Sequence, residues 1–381
     1  MAMSNIPANL GGQYIGNYTN MTHGKYSFLC VNIDHIGGSH HEAYATIFSG
    51  DRIYTTTFPF DWTNSSQGAF INVTQITEYI RQGNGTFNKS EGNVQQYKSA
   101  DLHITWEKWL RLTWTTDNQE SMQSEGLITA AAAPSELRSI IVNWQDFKKE
   151  VGDVGPLRRY IFRGQSLTNR LRTSYHRTNR SNIARYYKEN VPELQHFMSS
   201  AHKDYLSLTE LSDLISMLTL AQHHGYPTPI LDWTKSPYIA AYFAFINVSC
   251  QTAGDCDDAL DSFIRIYKID LEEYQNDFPQ FMDVNDMNLH VSFVITPPAN
   301  NPRAIPQQSI SCISTIDDIE TYIAFYERNM HKKYLFAYDI PTSEANNALK
   351  DLELMGITHA ALFPGLDGIS RYLRWKHFEN T

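Results

Sequence analysis

The first hundred or so residues alternate between apolar and polar positions with a period of two. Aromatic and β-branched side chains form short runs that Gly, Asn, Asp and Ser separate. The runs lie at residues 12–18, 24–33, 42–48, 102–106 and 110–114. Such punctuated alternation is typical of antiparallel strands. Several short strands in sequence predict an N-terminal β barrel or β sandwich, because closing or stacking a sheet protects its edges. A short helix is predicted at residues 76–81.

The pattern ends in a segment that can bury little. After residue 115 the chain becomes polar and then rich in small side chains, finishing in a run of alanines before Pro134. We place a linker at residues 126–134, between a β-rich accessory or recognition domain at 1–125 and a second domain at 135–381. A chain of 381 residues suits two domains, since single cores stop growing near ~250 residues.

The second domain mixes helical and strand periodicity, which predicts an α+β fold. A helix is expected from Ser135 to Gly152, because Ile140, Trp144 and Phe147 recur at helical spacing. Further helices are expected at residues 208–222, from Ser236 onward, and at 343–355. Strands are expected at residues 160–162, 229–233, 262–269, 291–295, 308–313, 334–338 and 359–363.

Charge and cysteine content narrow the functional class. The net charge of −10 argues against a protein that coats nucleic acid, because such binding depends on Lys and Arg neutralising phosphates. A local arginine-rich segment is either a basic patch or a solvated surface with ion pairs: Arg158, Arg159, Arg163, Arg170, Arg172, Arg177, Arg180 and Arg185. Only Cys250 and Cys256 are close enough to suggest local pairing. Without a signal peptide or an apolar run of 18 residues, we expect a cytoplasmic protein away from membranes.

Two segments carry candidate chemistry. Arg163 follows the apolar run 160–162 and precedes Gly164, so we expect its guanidinium at a strand end, where it suits a phosphate. The second segment, residues 221–244, concentrates Gln, His, Asp, Trp, Thr, Ser and Tyr in one strand–turn–helix unit. Asp232 and Ser236 are candidate ligands or helix caps. His223 is a candidate ligand or a helix end, and no metal site is expected.

These segments resemble the FRG domain family. Phe162-Arg163-Gly164-Gln165 matches its opening signature, and Thr228 to Ala244 matches its Leu-Asp-Trp-Thr-x-Ser-Pro and Ala-x-x-Phe-Ala patterns. Asn301-Pro302-Arg303 with Gln307 resembles its later strand. Leu362 to Gly368 resembles its closing motif. The resemblance implies an ADP-ribosyltransferase-like domain that handles nicotinamide adenine dinucleotide (NAD) as a substrate.

The resemblance also assigns roles around the dinucleotide. Arg163 would hold phosphate or ribose, Gly164 would present its backbone to the nicotinamide amide, and Tyr242 or Trp233 would stack on the ring. Polar contacts to the dinucleotide are expected from four more residues: Gln165, His223, Thr234 and Ser236.

Catalysis needs a group that stabilises positive charge on the ribose. The residues expected to act in catalysis are Arg163, Asp232, Gln307 and Gln308. The family's relatives carry a late-strand Glu, often as Glu-x-Glu, and this chain has no such pair after residue 300. Gln307 and Gln308 occupy the matching strand, and an amide cannot take a proton. The candidate acids are Asp232, Glu327 and Asp367.

The leading hypothesis is an enzyme that transfers ADP-ribose from NAD to a protein or nucleic acid. By resemblance, such an enzyme would be a bacterial toxin or anti-phage effector, with an antitoxin or trigger protein as a partner. One alternative is an NAD glycohydrolase with water as the acceptor. Another is a catalytically silent module that binds a nucleotide or protein, which the missing Glu favours. Neither the acceptor nor the oligomeric state follows from the sequence.

Overall fold

The computed structural model describes residues 6–63, 67–82, 87–90, 95–127, 129, 134–154, 159–201, 207–248, 262–280, 289–295 and 301–379. Cys250 and Cys256, whose spacing suggests a local pairing, lie outside these residues. The strands are β1 Gly12–Asn20, β2 Lys25–Gly37, β3 His40–Ser49, β4 Arg52–Asp61, β5 Ala69–Val73, β6 Thr77–Arg81, β7 Phe87–Lys89, β8 Ala100–Trp106, β9 Leu110–Thr116, β10 Ser121–Ser124, β11 Ile140–Ile141, β12 Tyr160–Gln165, β13 Ile230–Thr234, β14 Phe263–Asp270, β15 Val291–Val294, β16 Ser309–Ser314 and β17 Leu335–Pro341. The α-helices are α1 Trp144–Val154, α2 Ile183–Arg185, α3 Val191–Ala201, α4 Leu211–His223, α5 Pro237–Phe245, α6 Leu271–Asp277, α7 Ile319–Met330, α8 Ala345–Leu354, α9 His359–Leu362 and α10 Leu366–Arg374.

The chain divides into two compact units. The first contains Met1–Ala132 together with Tyr175–Pro192, and the second contains Ala133–Ser174 with Glu193–Thr381. The division near residue 132 falls within the expected linker, although Leu127 is fully buried and bridges Leu110 in the first unit. The sequence placed residues 175–192 in the second domain, whereas they pack with the first unit. No helix in the described ranges is long and apolar enough to cross a membrane.

The first unit is built on one large antiparallel sheet of ten strands, in the order β5-β8-β9-β10-β1-β2-β3-β4-β6-β7. Strand alternation produces its core, because every second side chain points to the same face. In β9, Leu110, Leu112 and Trp114 are buried and the residues between them are half-buried. The expected antiparallel β-rich domain is confirmed as one curled sheet, with no second sheet stacked on it among the described strands.

Asp34 on β2 fixes the later segment within this unit. Its buried carboxylate accepts hydrogen bonds from the main-chain N–H groups of Ser181 (2.8 Å) and Asn182 (3.2 Å). Asn182 in turn caps α2 by accepting from Arg185 N at 3.0 Å. A carboxylate that accepts two backbone N–H groups is well satisfied despite its burial. This segment therefore depends on the β-rich unit for its polar partners.

The second unit contains a seven-stranded sheet in the order β11-β17-β14-β12-β13-β16-β15, antiparallel except for β11 against β17. A hydrophobic core forms where α1, α5 and α8 contribute residues beside those of β12, β14 and β17. The small residues Ala240, Ala241 and Ala244 allow α5 to approach β12 closely. The expected mixed α+β organisation is thus confirmed.

Three predicted elements are wrong. Residues 76–81 contain β6, which pairs with β4, and buried Glu78 there forms an ion pair with Arg52. Residues 359–363 contain the helix α9, whose N-cap Thr358 accepts from Ala361 N at 3.2 Å. The helix expected from residue 135 begins only at Trp144, because residues 140–141 pair with β17.

The arginine-rich segment does not form a common basic patch. Four of its arginines make ion pairs with carboxylates: Arg159 with Asp270, Arg170 with Asp318, Arg172 with Asp317 and Arg185 with Glu189. Arg158 lies outside the described residues. Paired guanidinium groups have their charge largely neutralised locally, so these four are poor candidates for binding phosphate.

Candidate functional site

The second sheet separates between β12 and β13 where Arg163 lies. β12 pairs along its length with β14, and β13 pairs with β16, but β12 and β13 pair only at Phe162 and Thr234. Beyond that pair, Arg163 Nη1 donates a hydrogen bond to the main-chain carbonyl of Asp232. Arg163 therefore lies inside a strand rather than at its end, and its guanidinium crosses the opening between the two strands.

A cavity of about 370 Å³ lies at this opening. Its volume falls in the range of about 300–1,000 Å³ typical of small-molecule sites. The lining includes two guanidinium groups, one carboxylate, one imidazole and three phenyl rings: Arg163, Arg303, Asp232, His223, Phe162, Phe243 and Phe363. Both signs of charge and aromatic surface therefore converge on one cavity within the second unit.

Asp232 supplies the carboxylate of this cavity. The side chain is half-buried, and its Oδ2 accepts a hydrogen bond from Gln222 Nε2. Gln222 lies near the end of α4, and its Oε1 accepts from the hydroxyl of Thr228. Because Asp232 sits in the middle of β13, it is not a cap for α5. Ser236 performs that function alone, since its Oγ accepts from Ile239 N at 3.3 Å.

His223, the last residue of α4, contributes the imidazole. Its Nδ1 is buried and has no hydrogen-bond partner in the described part of the chain. Burial lowers the pKa of His223, the charge of Asp232 opposes this shift, and Arg303 adds to it. The ring is therefore neutral near pH 7 and offers one nitrogen that accepts a proton or hydrogen bond.

Arg303 is a site residue that the sequence interpretation did not include. Its guanidinium lies over the ring of Phe363 at 5.1 Å, and Nη1 is 3.4 Å from the carbonyl oxygen of His223. Across the described ranges, no carboxylate lies within ion-pair distance of Arg303. The available signal was its position four residues before Gln307 in a motif that resembles the family's. A cation held without a carboxylate partner suits an anionic ligand.

Three more expected residues line the cavity but have structural partners. Thr234 Oγ1 donates to Gln307 O at 2.7 Å, and Gln307 Nε2 donates to Leu362 O at 3.0 Å. Trp233 packs edge-to-face on Phe293, with ring centroids 5.8 Å apart. These contacts tie β13 to the segment before β16 and to the end of α9. They shape the cavity wall.

Gly164 also lines the cavity, yet its packing explains why it is glycine. A Cβ added there would overlap the carbonyl oxygen of Ala240 and lie 2.8 Å from that carbonyl carbon. Only a residue without a side chain lets α5 approach β12 this closely. The structure thus gives Gly164 a packing role, whatever contact its backbone makes with a ligand.

Four residues expected at the site are not among those that line the cavity. Gln165 donates to Asn169 O, Ser236 caps α5, and exposed Gln308 occupies a left-handed turn with φ of 49°. Tyr242 is buried on α5 and hydrogen-bonds His359 Nδ1 at 3.2 Å. The stacking surface expected from Tyr242 is better supplied by Phe243, which is half-buried and does line the cavity.

The two other candidate acids lie elsewhere. Glu327 accepts from the main-chain N–H groups of Tyr334 and Leu335, both at 2.8 Å, and pairs with Lys333. Asp367 is exposed in the first turn of α10. Neither residue lines the cavity, so Asp232 is the candidate acid that remains.

Comparisons with known proteins match separate parts of this chain. Two solved redesigned β barrels are similar to the chain, with no shared fold implied at such TM-scores. The first is 11% identical with a TM-score of 0.24, covering 34% of this chain and 98% of that one. The second, mFAP1 bound to DFHBI, is 13% identical with a TM-score of 0.20, covering 30% and 91%. No curated protein matches. Residues 158–252, which include Arg163, His223 and Asp232, match the FRG domain family, so the chain contains an FRG domain.

Proposed function

We propose that the cavity of the second unit binds NAD and that this protein transfers ADP-ribose from NAD to a protein or nucleic acid. One observation carries the proposal: Arg163, Arg303 and Asp232 line a single cavity of about 370 Å³. Cationic groups suit the diphosphate, and a carboxylate suits a ribose that becomes positively charged as its bond to nicotinamide breaks.

Each group then has a stated task. Arg163 and Arg303 bind the diphosphate, and the half-buried ring of Phe243 offers a face for nicotinamide. The bond between ribose C1 and nicotinamide breaks, and nicotinamide leaves with the electron pair. Asp232 stabilises the positive charge on the ribose. An oxygen or nitrogen of the acceptor bonds to C1, and its proton passes to neutral His223 or to water.

The experiment uses NAD with a radioactive label in its adenylate half and measures which product carries the label. The wild-type chain is incubated with labelled NAD alone, with cell protein and with nucleic acid. Label on a macromolecule supports the transferase. Label found only in free ADP-ribose identifies water as the acceptor and a glycohydrolase instead. Label that stays entirely in intact NAD under every condition contradicts the proposal and favours a silent binding module.

A matched pair of variants connects the activity to the cavity. Asp232→Asn keeps the shape of the side chain and removes its charge, so nicotinamide release is expected to fall on the order of 100-fold or more. Asp213→Asn is the control, because Asp213 lies on α4 in its first turn and does not line the cavity. Melting temperatures are measured for both variants. Full activity of folded Asp232→Asn would remove Asp232 from the mechanism.

A further inference from the structure

Asp232 is held by a chain of side chains that reaches away from the cavity. Gln222 Nε2 donates to Asp232 Oδ2, and Thr228 Oγ1 donates to Gln222 Oε1. Thr228 is fully buried and is held in turn by Ser174. Ser174 Oγ donates to Thr228 O at 3.1 Å and accepts from Thr228 N at 2.9 Å. Four residues from three separate segments thus form one hydrogen-bonded series that ends on the carboxylate.

The hydrogen-bonding capacity of each group determines which atom donates at each step of this series. An ionised carboxylate only accepts, so the group that meets Asp232 must be the NH₂ of the Gln222 amide. The amide oxygen then points to Thr228, whose hydroxyl supplies the matching donor. If the amide of Gln222 were turned over, its oxygen would face the carboxylate of Asp232, and two acceptors would oppose each other. The carboxylate of Asp232 therefore selects the amide orientation, and the hydroxyl of Thr228 completes it by donating to the amide oxygen.

We propose that Gln222, held at its amide oxygen by Thr228, is the positioning residue that keeps the Asp232 carboxylate directed into the cavity for the reaction proposed above. The amide binds one oxygen of Asp232, Oδ2, and leaves Oδ1 for the ribose. A hydrogen bond from an amide to a carboxylate is charge-assisted, so it holds the carboxylate in one orientation. Gln222 also lines the cavity, but its amide cannot exchange a proton, so its role here is to fix Asp232. This inference rests on the proposed function for its catalytic consequence, but the effect on Asp232 is independent of turnover.

The direct test is the ¹³C NMR signal of the Asp232 carboxyl carbon at constant neutral pH, in the full-length protein labelled at aspartate carboxyl carbons, with Asp232→Asn to assign the signal. Gln222→Leu removes the donor, and Thr228→Val removes the hydroxyl that orients it. Both are expected to move the Asp232 signal, because the carboxylate loses its amide donor or the support that holds that donor in place. Thr228→Ser keeps the hydroxyl and should leave the signal at its wild-type position. Gln275→Leu is the matched control, because Gln275 is an exposed glutamine on α6 that does not line the cavity.

Kinetics supply a second reading that a purely structural role would not give. In Gln222→Leu and Thr228→Val, kcat for nicotinamide release at neutral pH should fall on the order of tenfold while KM for NAD changes little, since an interaction that matters in the transition state is lost. Melting temperatures of all variants are measured alongside.

The outcomes separate the two proposals. An unchanged Asp232 signal in folded Gln222→Leu overturns the positioning role. If Gln222→Leu does not fold, Gln222→Glu keeps the shape and replaces the donor NH₂ with an acceptor oxygen, so the Asp232 signal should again move. An unchanged signal in that variant also overturns the inference. If wild-type protein releases no nicotinamide, the proposed enzyme fails, yet the NMR comparison still decides whether Gln222 controls Asp232.

Discussion

Replacing Gly164 with alanine tests how closely α5 packs on β12. A Cβ at this position would overlap Ala240 O and would lie 2.8 Å from Ala240 C and 3.0 Å from Ala244 N. Carbon atoms that are not bonded pack at about 3.5–4.0 Å, so the backbone of α5 must move away by roughly 1 Å. The obstacle is main chain at the centre of a helix, and it cannot rotate aside as a flexible side chain could.

Two opposing effects decide how much Gly164→Ala changes the free energy of unfolding. Gly164 does not have a positive φ, so its backbone conformation is allowed for alanine. Because alanine gives the unfolded chain less conformational freedom than glycine, this effect alone would stabilise the folded protein by about 0.4–1 kcal/mol. Overpacking a well-filled core costs about 1–3 kcal/mol and more when backbone must move. The clash is expected to win, with a net loss of about 2 kcal/mol in the free energy of unfolding.

The assay is urea unfolding followed by circular dichroism, with Gly152→Ala as the matched control. Gly152 lies within α1, and a Cβ there meets nothing within 4 Å. Alanine in that helix should therefore stabilise by up to about 1 kcal/mol. If Gly164→Ala unfolds at the wild-type urea concentration, the close approach of α5 is wrong. If it keeps full stability but loses NAD affinity, Gly164 acts on the ligand directly.

Three further changes test other parts of the structure. Arg303→Ala should weaken NAD binding, measured by calorimetry, by about 1.5–3 kcal/mol. The control Arg328→Ala, at an exposed position on α7, should leave NAD binding unchanged. If both variants weaken binding equally, Arg303 does not contact the phosphates. Residues 175–192 belong to the first unit, so removing residues 1–132 takes away the part of the chain that they pack against. The shortened protein should melt at a lower temperature, and protease should cut it faster within residues 175–192. An unchanged melting temperature would contradict this prediction. Burial lowers the pKa of His359 to about 4 in the folded protein, whereas a histidine in the unfolded chain has a pKa near 6.5. As the pH falls from about 6.5 to 4, the unfolded chain therefore binds a proton at His359 that the folded protein does not. The free energy of unfolding should decrease over this interval. Urea unfolding of His359→Gln should show a shallower decrease over that interval, and an identical slope would exclude His359 as its source.

The strands of the first unit were predictable because their pattern is local. In β9 the buried Leu110, Leu112 and Trp114 alternate with half-buried residues, and period two distinguishes strand from helix over such a length. Residues 359–363 were mistaken for a strand because a short apolar run has no readable period. The helix there is set by Thr358, whose hydroxyl accepts from Ala361 N.

Half of the cavity could be predicted and half could not. Arg163, His223 and Asp232 lie in two continuous motifs whose residue types indicate chemistry without any structure. Arg303 and Phe363 reach the same cavity from later segments, and nothing local in the sequence shows that their side chains meet. Their meeting depends on how β12 and β13 separate and how the chain before β16 folds back. Those are properties of tertiary packing.

The arginines show why residue type alone does not identify a ligand site. Arg159, Arg170 and Arg172 lie in a cationic stretch of sequence, but each pairs with a carboxylate more than a hundred residues away along the chain. Arg303 lies outside that stretch and, in the part of the chain that the structure describes, has no carboxylate within ion-pair distance. Binding an anion at a paired arginine would first leave its carboxylate without a partner, whereas Arg303 carries no such penalty. The distinction between structural and ligand-binding arginines therefore depends on distant acids, and it becomes visible only once the fold has brought them together.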